Sequence, residues 1–444
     1  MARDRIRGGV WLAKCFLFRG VPAYNGCVPG DVPGGRFFSE KDSYMNVVIS
    51  GPFGRGSLAD EAVLAGLLKH LKHAKNVVNV LSANPDATRG MHGIEAIKAG
   101  EPGGLLSNKA VWEALEKAHL FVLAGAGVIN AKGTMPARVW LGQLEHAQTA
   151  GVKTAVIGIG AEVIKEARDR ARVQRLLHHC AEGISARDAA SKAALISYGM
   201  NANRISANGD PTLALLATGD IAQPAAGELR IGIVLAASVP TRTEFGFEKI
   251  EPNDADAKLA RGLVEELLKN GAAQIRVFHD DTDEVGEFAD TLEALDDSKV
   301  ELIAAEVPIA EIQKELAQCH AVFSFSLQGL MLAATSGAPA AGFAEETGAG
   351  EFLNAAGLAR GIVATRDASA AANAILALAR NAEVREKLKG KMSILKKKEA
   401  QNARMMELLV PRRVSRERMD IGERIGKHKF SKHKPGRDNG DDGM

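Results

Sequence analysis

The stretch VISGPFGRGSLADEAVLAGLL, starting at Val48, sets a glycine-rich turn between a short apolar strand and an amphipathic helix. Gly54-Arg55-Gly56-Ser57-Leu58-Ala59 fits G-x-G-x-x-A, whose glycines let a backbone approach a bound phosphate closely. A helix N-terminus attracts anions, yet Asp60 and Glu61 already place two carboxylates in its first turn. A dinucleotide is therefore disfavoured. Ser57 as N-cap with Asp60 three residues on reads as a capping box in which Asp replaces the usual Glu. Asp60 is also a candidate base, and Gly54, Gly56 and Ser57 remain candidates for holding a small ligand.

Two more glycine turns follow apolar runs: Gly125-Ala126-Gly127 after LFVLA, and Gly158-Ile159-Gly160 after TAVI. Three such turns on one sheet edge make a ligand-facing rim. The candidate titrating or cationic groups are His92, Arg187, Arg242 and His279. Each has a plainer reading. His92 and His279 sit where solvated loop histidines are expected, and Arg187 beside Asp188 reads as an ion pair or helix cap. HDDTDE from His279 reads more simply as a charged surface loop than as a cation site. Cys15, Cys27, Cys180 and Cys319 have no C-x-x-C spacing, so neither zinc nor a disulfide framework is expected. No metal site is expected elsewhere, and a reducing, cytoplasmic setting fits.

The elements that must position these residues follow a regular pattern. A chain of 444 residues exceeds one ordinary core, so two domains are expected. From Asn46, the apolar runs NVVIS, NVVNVLS, LFVLA and TAVIGIG alternate with helix-period segments. Runs apolar throughout and separated by helical crossovers indicate a parallel sheet covered on both faces. The pattern breaks at PAAGELR and restarts with IGIVLAA, QIRVFHD, VELIAAE, AVFSFS and APAAGFA, including a helix at EVGEFADTLEAL. The expected organisation is an N-terminal extension (1–44), a first doubly wound α/β domain (45–226), a second (227–366) and C-terminal helices (367–410). A basic, disordered tail (411–444) completes it.

Charge bounds the partners. Fifty-six basic side chains against fifty-four acidic ones exclude a body built around nucleic acid. Between Pro411 and Arg437, however, ten Lys/Arg meet three acids. Phe430 is the one aromatic there, which disfavours base stacking; attraction to an anionic membrane is the alternative, and a merely solvated tail the plain one. The N-terminal patch GGVWLAKCFLF is too short to span a bilayer, and Met45 is an alternative start.

Further motifs carry a resemblance. ISGPFGRGSLADEAVL resembles the opening G-x-x-G-x-G-N-x-G-D-E-A-I-L of the polysaccharide pyruvyl transferase family. Gly51, Gly54, Gly56, Asp60, Glu61, Ala62 and Leu64 match, while Ser57 and Ala59 replace the family's Asn and Gly. VLSANPDAT, LAGAGVIN, VIGIGAEV, the R-D-x-x-S-like segment at Arg187 and Asp188, and the D-P segment at Asp210 and Pro211 follow in the family's order. The likeness runs from about Asn46 to about Val410.

The resemblance implies two Rossmann-like domains facing a cleft in a GT-B-like fold. It implies transfer of enolpyruvyl from phosphoenolpyruvate to a sugar, giving a pyruvate ketal without a cofactor. The acceptor implied is a cell-envelope glycan or lipid-linked carbohydrate at the inner membrane face. Arg187, Asp210, Arg242, Gly125 and Gly127 would line the substrate site, with Asp60 and His92 as catalytic candidates. The family's G-M-R-L-H-A-L segment, however, corresponds to Ser324-Phe325-Ser326-Leu327-Gln328-Gly329-Leu330. Ser326 and Gln328 stand where the resemblance places donor-binding Arg and His, and neither carries charge. The alternative is a divergent member with another activated donor, or a glycan-binding or scaffolding role.

Overall fold

The computed structural model describes residues 45–71, 76–99, 108–125, 128–129, 134–180, 183–217, 224, 227–235, 242–243, 246–247, 254–279, 298–304 and 307–409. The N-terminal extension, the segment EVGEFADTLEAL, the acidic loop after His279 and the basic tail lie outside the described residues.

The first sheet contains β1 (Met45–Ser50), β2 (Asn76–Ser82), β3 (Glu95–Lys98), β4 (Leu120–Ala124), β5 (Lys153–Ile159), β6 (Ile184–Ala186) and β7 (Ile205–Ala207). Its order is β3-β2-β1-β4-β5-β6-β7, every pairing parallel. Helices α1 (Leu58–Leu71), α2 (Pro85–His92), α3 (Lys109–Lys117), α4 (Thr134–Thr149), α5 (Ala167–His178) and α6 (Ala189–Ser197) make the crossovers. The second sheet contains β8 (Arg230–Val234) and, after the two-residue hairpin strands β9 (Arg242–Thr243) and β10 (Gly246–Phe247), β11 (Gln274–His279) and β12 (Val300–Ala304). It ends with β13 (Ala321–Ser324), β14 (Ala340–Phe343) and β15 (Ile362–Val363). Its order is β12-β11-β8-β13-β14-β15, again all parallel. The helices here are α7 (Asp254–Lys269), α8 (Ile309–Ala317), α9 (Leu327–Thr335), α10 (Ala349–Ala355) and α11 (Ala368–Ala379), followed by α12 (Ala382–Leu409).

Both sheets are doubly wound, as their alternating apolar runs require. The central strand β4 is buried at every residue, which explains why LFVLA carries no polar alternation. In each sheet the order reverses beside the first strand, at β1/β4 and at β8/β13, and ligands gather at such reversals.

Helix α1 belongs to both halves. Val63, Leu64, Leu67, Leu68 and Leu71 pack in the core of the first sheet, each contributing about 1.5–3 kcal/mol relative to exposure. Leu58 and Ala62, on another side of the helix, share a core with Leu327, Leu330 and the second sheet. Helix α12 runs from the core of the second sheet, through Leu388 and Met392, to the first, where Met406 and Leu409 join the core of α1. Asn402 anchors that return. Its amide donates to the Gly209 carbonyl at 3.0 Å and its side-chain oxygen accepts from Asn208 at 3.1 Å and from the Ser185 hydroxyl. His70 on α1 meets the buried Glu399 of α12 at 2.7 Å.

Against α1 lies the short 3-10 turn Pro211–Leu215, and Gly66 is what lets it approach. A Cβ on Gly66 would stand 2.0 Å from the Pro211 carbonyl oxygen, a backbone atom that cannot rotate aside. Gly66→Ala is expected to lower stability by about 1–3 kcal/mol through overpacking, although alanine favours helix. Urea unfolding measures this, and an unchanged midpoint would mean that the turn is free to withdraw.

Candidate functional site

Gly54, Gly125, Arg187 and Asp210 follow parallel strands, whereas Arg242 lies in the antiparallel pair β9/β10. Gly54 and Gly125 follow the parallel neighbours β1 and β4, whereas Gly158 and Ile159, expected in a third turn, are the last residues of β5 and only Gly160 follows it. Gly54 needs to be glycine twice over. Its φ is +74°, and a Cβ there would lie 1.9 Å from the Ser82 hydroxyl. Gly125 has φ +120° and packs against Pro52. Gly127 lies outside the described residues.

At the first turn, Ser57 caps α1: its hydroxyl accepts from the Asp60 N–H at 3.3 Å. The neighbouring carboxylate turns inward. Glu61 is 2 % exposed and accepts from the Gly54 N–H at 2.6 Å, while its other oxygen pairs with His92 Nε2 at 2.7 Å. The glycine turn therefore holds a carboxylate of its own helix. His92, expected as a solvated loop residue, is instead the last residue of α2, with a side chain 3 % exposed. The reason is this pairing, which bridges the β1 and β2 crossovers. Asp60 stays half-buried in the first turn. Arg55 escaped the sequence reading: it lies exposed between the two glycines, its guanidinium 5.8 Å from the Trp140 ring centroid. Its place between two rim glycines was the available signal.

A second cluster forms where the two sheets meet. Arg187 follows β6, and its Nε donates to Asp188 at 2.8 Å, as its sequence neighbour led one to expect. A terminal nitrogen of Arg187 also donates across to the Thr347 carbonyl, beyond β14, at 3.4 Å. Asp188 caps α6 by accepting from Ser191 N at 2.6 Å. Burial works to raise its pKa, but the Arg187 charge and the Ser191 hydrogen bonds outweigh burial and hold it below the usual carboxylate range. Gly348 closes the cluster, since a Cβ there would stand 3.0 Å from the Asp188 carboxylate.

Asp210 is fully buried at the cap of the turn Pro211–Leu215, accepting from Thr212 N at 2.8 Å. Burial pushes its carboxyl up, against the opposing pull of the Thr212 N–H and Arg187. Glu346 is raised by burial too, again opposed by Arg187. Gln328, 5 % exposed, donates to the second Asp210 oxygen at 3.4 Å and so links α9 to the segment after β7. Ser326 caps α9, accepting from Gly329 N at 3.1 Å. The polar groups of both residues therefore serve the fold. Only the backbone of Arg242, in β9, is described, and His279 ends β11. Among the described residues no group of three or more His, Cys, Asp or Glu is arranged to hold a metal ion. Cys180 and Cys319 are free and buried, their thiols pushed up to about 12 by burial.

Two doubly wound sheets whose C-terminal edges meet define a GT-B-like fold, and three solved structures share it. They are S. aureus MnaA with UDP (13 % identity, TM-score 0.53, covering 78 % of this chain and 91 % of that one), the Methanocaldococcus jannaschii UDP-GlcNAc 2-epimerase with UDP-GlcNAc and UDP (12 %, 0.51, 76 % and 93 %), and Anabaena HepE with UDP-glucose (14 %, 0.51, 86 % and 100 %). The chain belongs to the polysaccharide pyruvyl transferase family, whose model matches residues 60–347. No curated protein sequence matches it. Family membership makes it a member of a transferase family.

Two outcomes follow from the geometry. Glu61→Ala leaves the Gly54 N–H and His92 without their partner and is expected to cost at least about 1–3 kcal/mol in urea unfolding. Glu61→Gln, which keeps an acceptor, should cost less; equal costs would contradict the clasp. Asp210 has a folded pKa above its unfolded value, near 3.9. The stability it contributes is therefore present below about pH 4 and lost as pH rises through the folded value. Asp210→Asn removes that loss, so the variant should gain on the parent as pH rises above about 4, whereas parallel stability profiles would contradict the assignment.

Proposed function

We propose that the protein transfers the enolpyruvyl group of phosphoenolpyruvate, without a cofactor, to a sugar of a cell-envelope glycan or its lipid-linked precursor. The setting proposed is the cytoplasmic side of the membrane. The observation that carries this reading is Arg187, a guanidinium reaching from the end of β6 to the carbonyl of Thr347 beyond β14. A cation at that junction suits a donor bearing both phosphate and carboxylate. Arg55, exposed in the first glycine turn, supplies a second positive group at the rim. Together they offset the charge missing at Ser326 and Gln328. A sugar acceptor is in keeping with the nucleotide sugars held by solved proteins of the same fold.

The chemistry needs a proton delivered to C3 of the enol and attack by a sugar hydroxyl on C2. A base must take that hydroxyl's proton; phosphate then leaves C2 and a second hydroxyl closes the ketal there, its proton departing with the phosphate. Asp60 is the proposed base, because it is the carboxylate of the first turn that remains partly exposed. His92 and Glu61 hold the turn beneath it. Gly54, Gly56, Ser57, Gly125 and Asp210 shape the pocket wall in this scheme.

One observation favours a second reading, a divergent member with another activated donor or a glycan-binding role. The Ser326 hydroxyl and the Gln328 amide, at the positions of the family's Arg and His, are both engaged in capping and interdomain bonds. Calorimetric titration of phosphoenolpyruvate separates the two. The first reading expects micromolar to low-millimolar binding, weakened roughly tenfold or more by Arg187→Ala and by Arg55→Ala, each loss equivalent to about 1.5–3 kcal/mol. Absence of binding, with and without a glycan acceptor, would favour the second.

A further inference from the structure

Helix α12 turns Leu388, Met392, Asn402, Met406 and Leu409 inward. Its outer side is unusual. Ile394 is 62 % exposed and Leu408 69 % exposed. They are fourteen residues apart, close to four helical turns, so both look out of one side about 21 Å apart. Lys391 and Lys398 lie on the same face as Ile394, three residues before it and four after. Lys397 and Arg404 flank it, and all four are exposed. Along α12 the exposed charged residues are Lys387, Lys389, Lys391, Lys397, Lys398 and Arg404 against the acids Glu383, Glu386 and Glu407, with Glu383 paired to Lys387 at 3.1 Å. The other acid of this stretch, Glu399, is buried against His70.

Aliphatic side chains projecting from a basic helical face match a surface that is anionic outside and apolar beneath. A second copy of the chain would oppose one basic face to another and be repelled. Single-stranded nucleic acid would call for aromatic stacking groups, and this face offers none. The sequence directly after the helix adds ten Lys/Arg against three acids between Pro411 and Arg437, extending the same charge. No helix among the described residues is long and apolar enough to cross a membrane, so contact here would be at the surface.

We propose that the outer face of α12 docks the protein onto an anionic phospholipid bilayer. Ile394 and Leu408 enter the headgroup boundary, and Lys391, Lys397, Lys398 and Arg404 meet lipid phosphates. This holds whatever donor the cleft takes.

The test is co-sedimentation of the full chain with vesicles of phosphatidylglycerol and phosphatidylcholine, beside vesicles of phosphatidylcholine alone. Binding is expected to the anionic vesicles and to fall steeply with salt. Ile394→Gln with Leu408→Gln should weaken it at least tenfold, and Lys397→Gln with Lys398→Gln by about fivefold per residue. All four positions are exposed, so circular dichroism should be unchanged. Neutralising the basic residues of 412–437 to Gln in the full chain should leave residual binding that still requires Ile394 and Leu408. The proposal is overturned if the full chain ignores anionic vesicles, or if the aliphatic variant binds like the parent. It is also overturned if the 412–437 charges carry all the binding, or if the protein binds single-stranded RNA and not anionic vesicles.

Discussion

The residues where the two sheets meet depend on where helix α1 is held. It is buried on two sides, by the strands of the first sheet and by the core of the second, so it cannot shift toward one without opening a void in the other. Its N-terminal turn is fixed by Glu61, whose two oxygens take the Gly54 N–H and His92. The turn Pro211–Leu215 rests on its Gly66, and α12 returns to close over both. Asp210, Gln328 and Arg187 are then placed by elements already constrained from two directions.

This explains how two acidic residues come to occupy a position that usually favours an anion. Glu61 is not offered to a ligand at all. Its carboxylate takes the Gly54 N–H at 2.6 Å, so that donor of the glycine turn is engaged from within the chain. Arg187 stands at the junction of the sheets, and its charge is felt by Asp188, Asp210 and Glu346 together. Because these carboxyls belong to both halves of the protein, occupying or removing that one cation alters the electrostatics of the whole cluster.

Much of the architecture was legible in the sequence. The continuous apolar runs at Val47, Phe121 and Ile231 announced parallel strands, and Ser57 with Asp60 announced a cap, because both signals are local. The strands β3, β6, β7 and β15, of two to four residues, were missed; such short runs carry no period. His92 could not be read correctly, since its partner is thirty-one residues away and reached only when β1 pairs with β2. The same holds for Gln328, whose link to Asp210 spans 118 residues and joins elements of the two sheets. Sequence likeness placed Ser326 and Gln328 at the donor site; it could not reveal that their hydrogen bonds are already engaged.

The most direct measurement is a crystal structure of the protein with phosphoenolpyruvate and a sugar acceptor. The account predicts a donor anion within hydrogen-bond distance of the Arg187 guanidinium, with an acceptor hydroxyl near Asp60. A donor held elsewhere, with Arg187 still engaged only by Asp188 and Thr347, would contradict it.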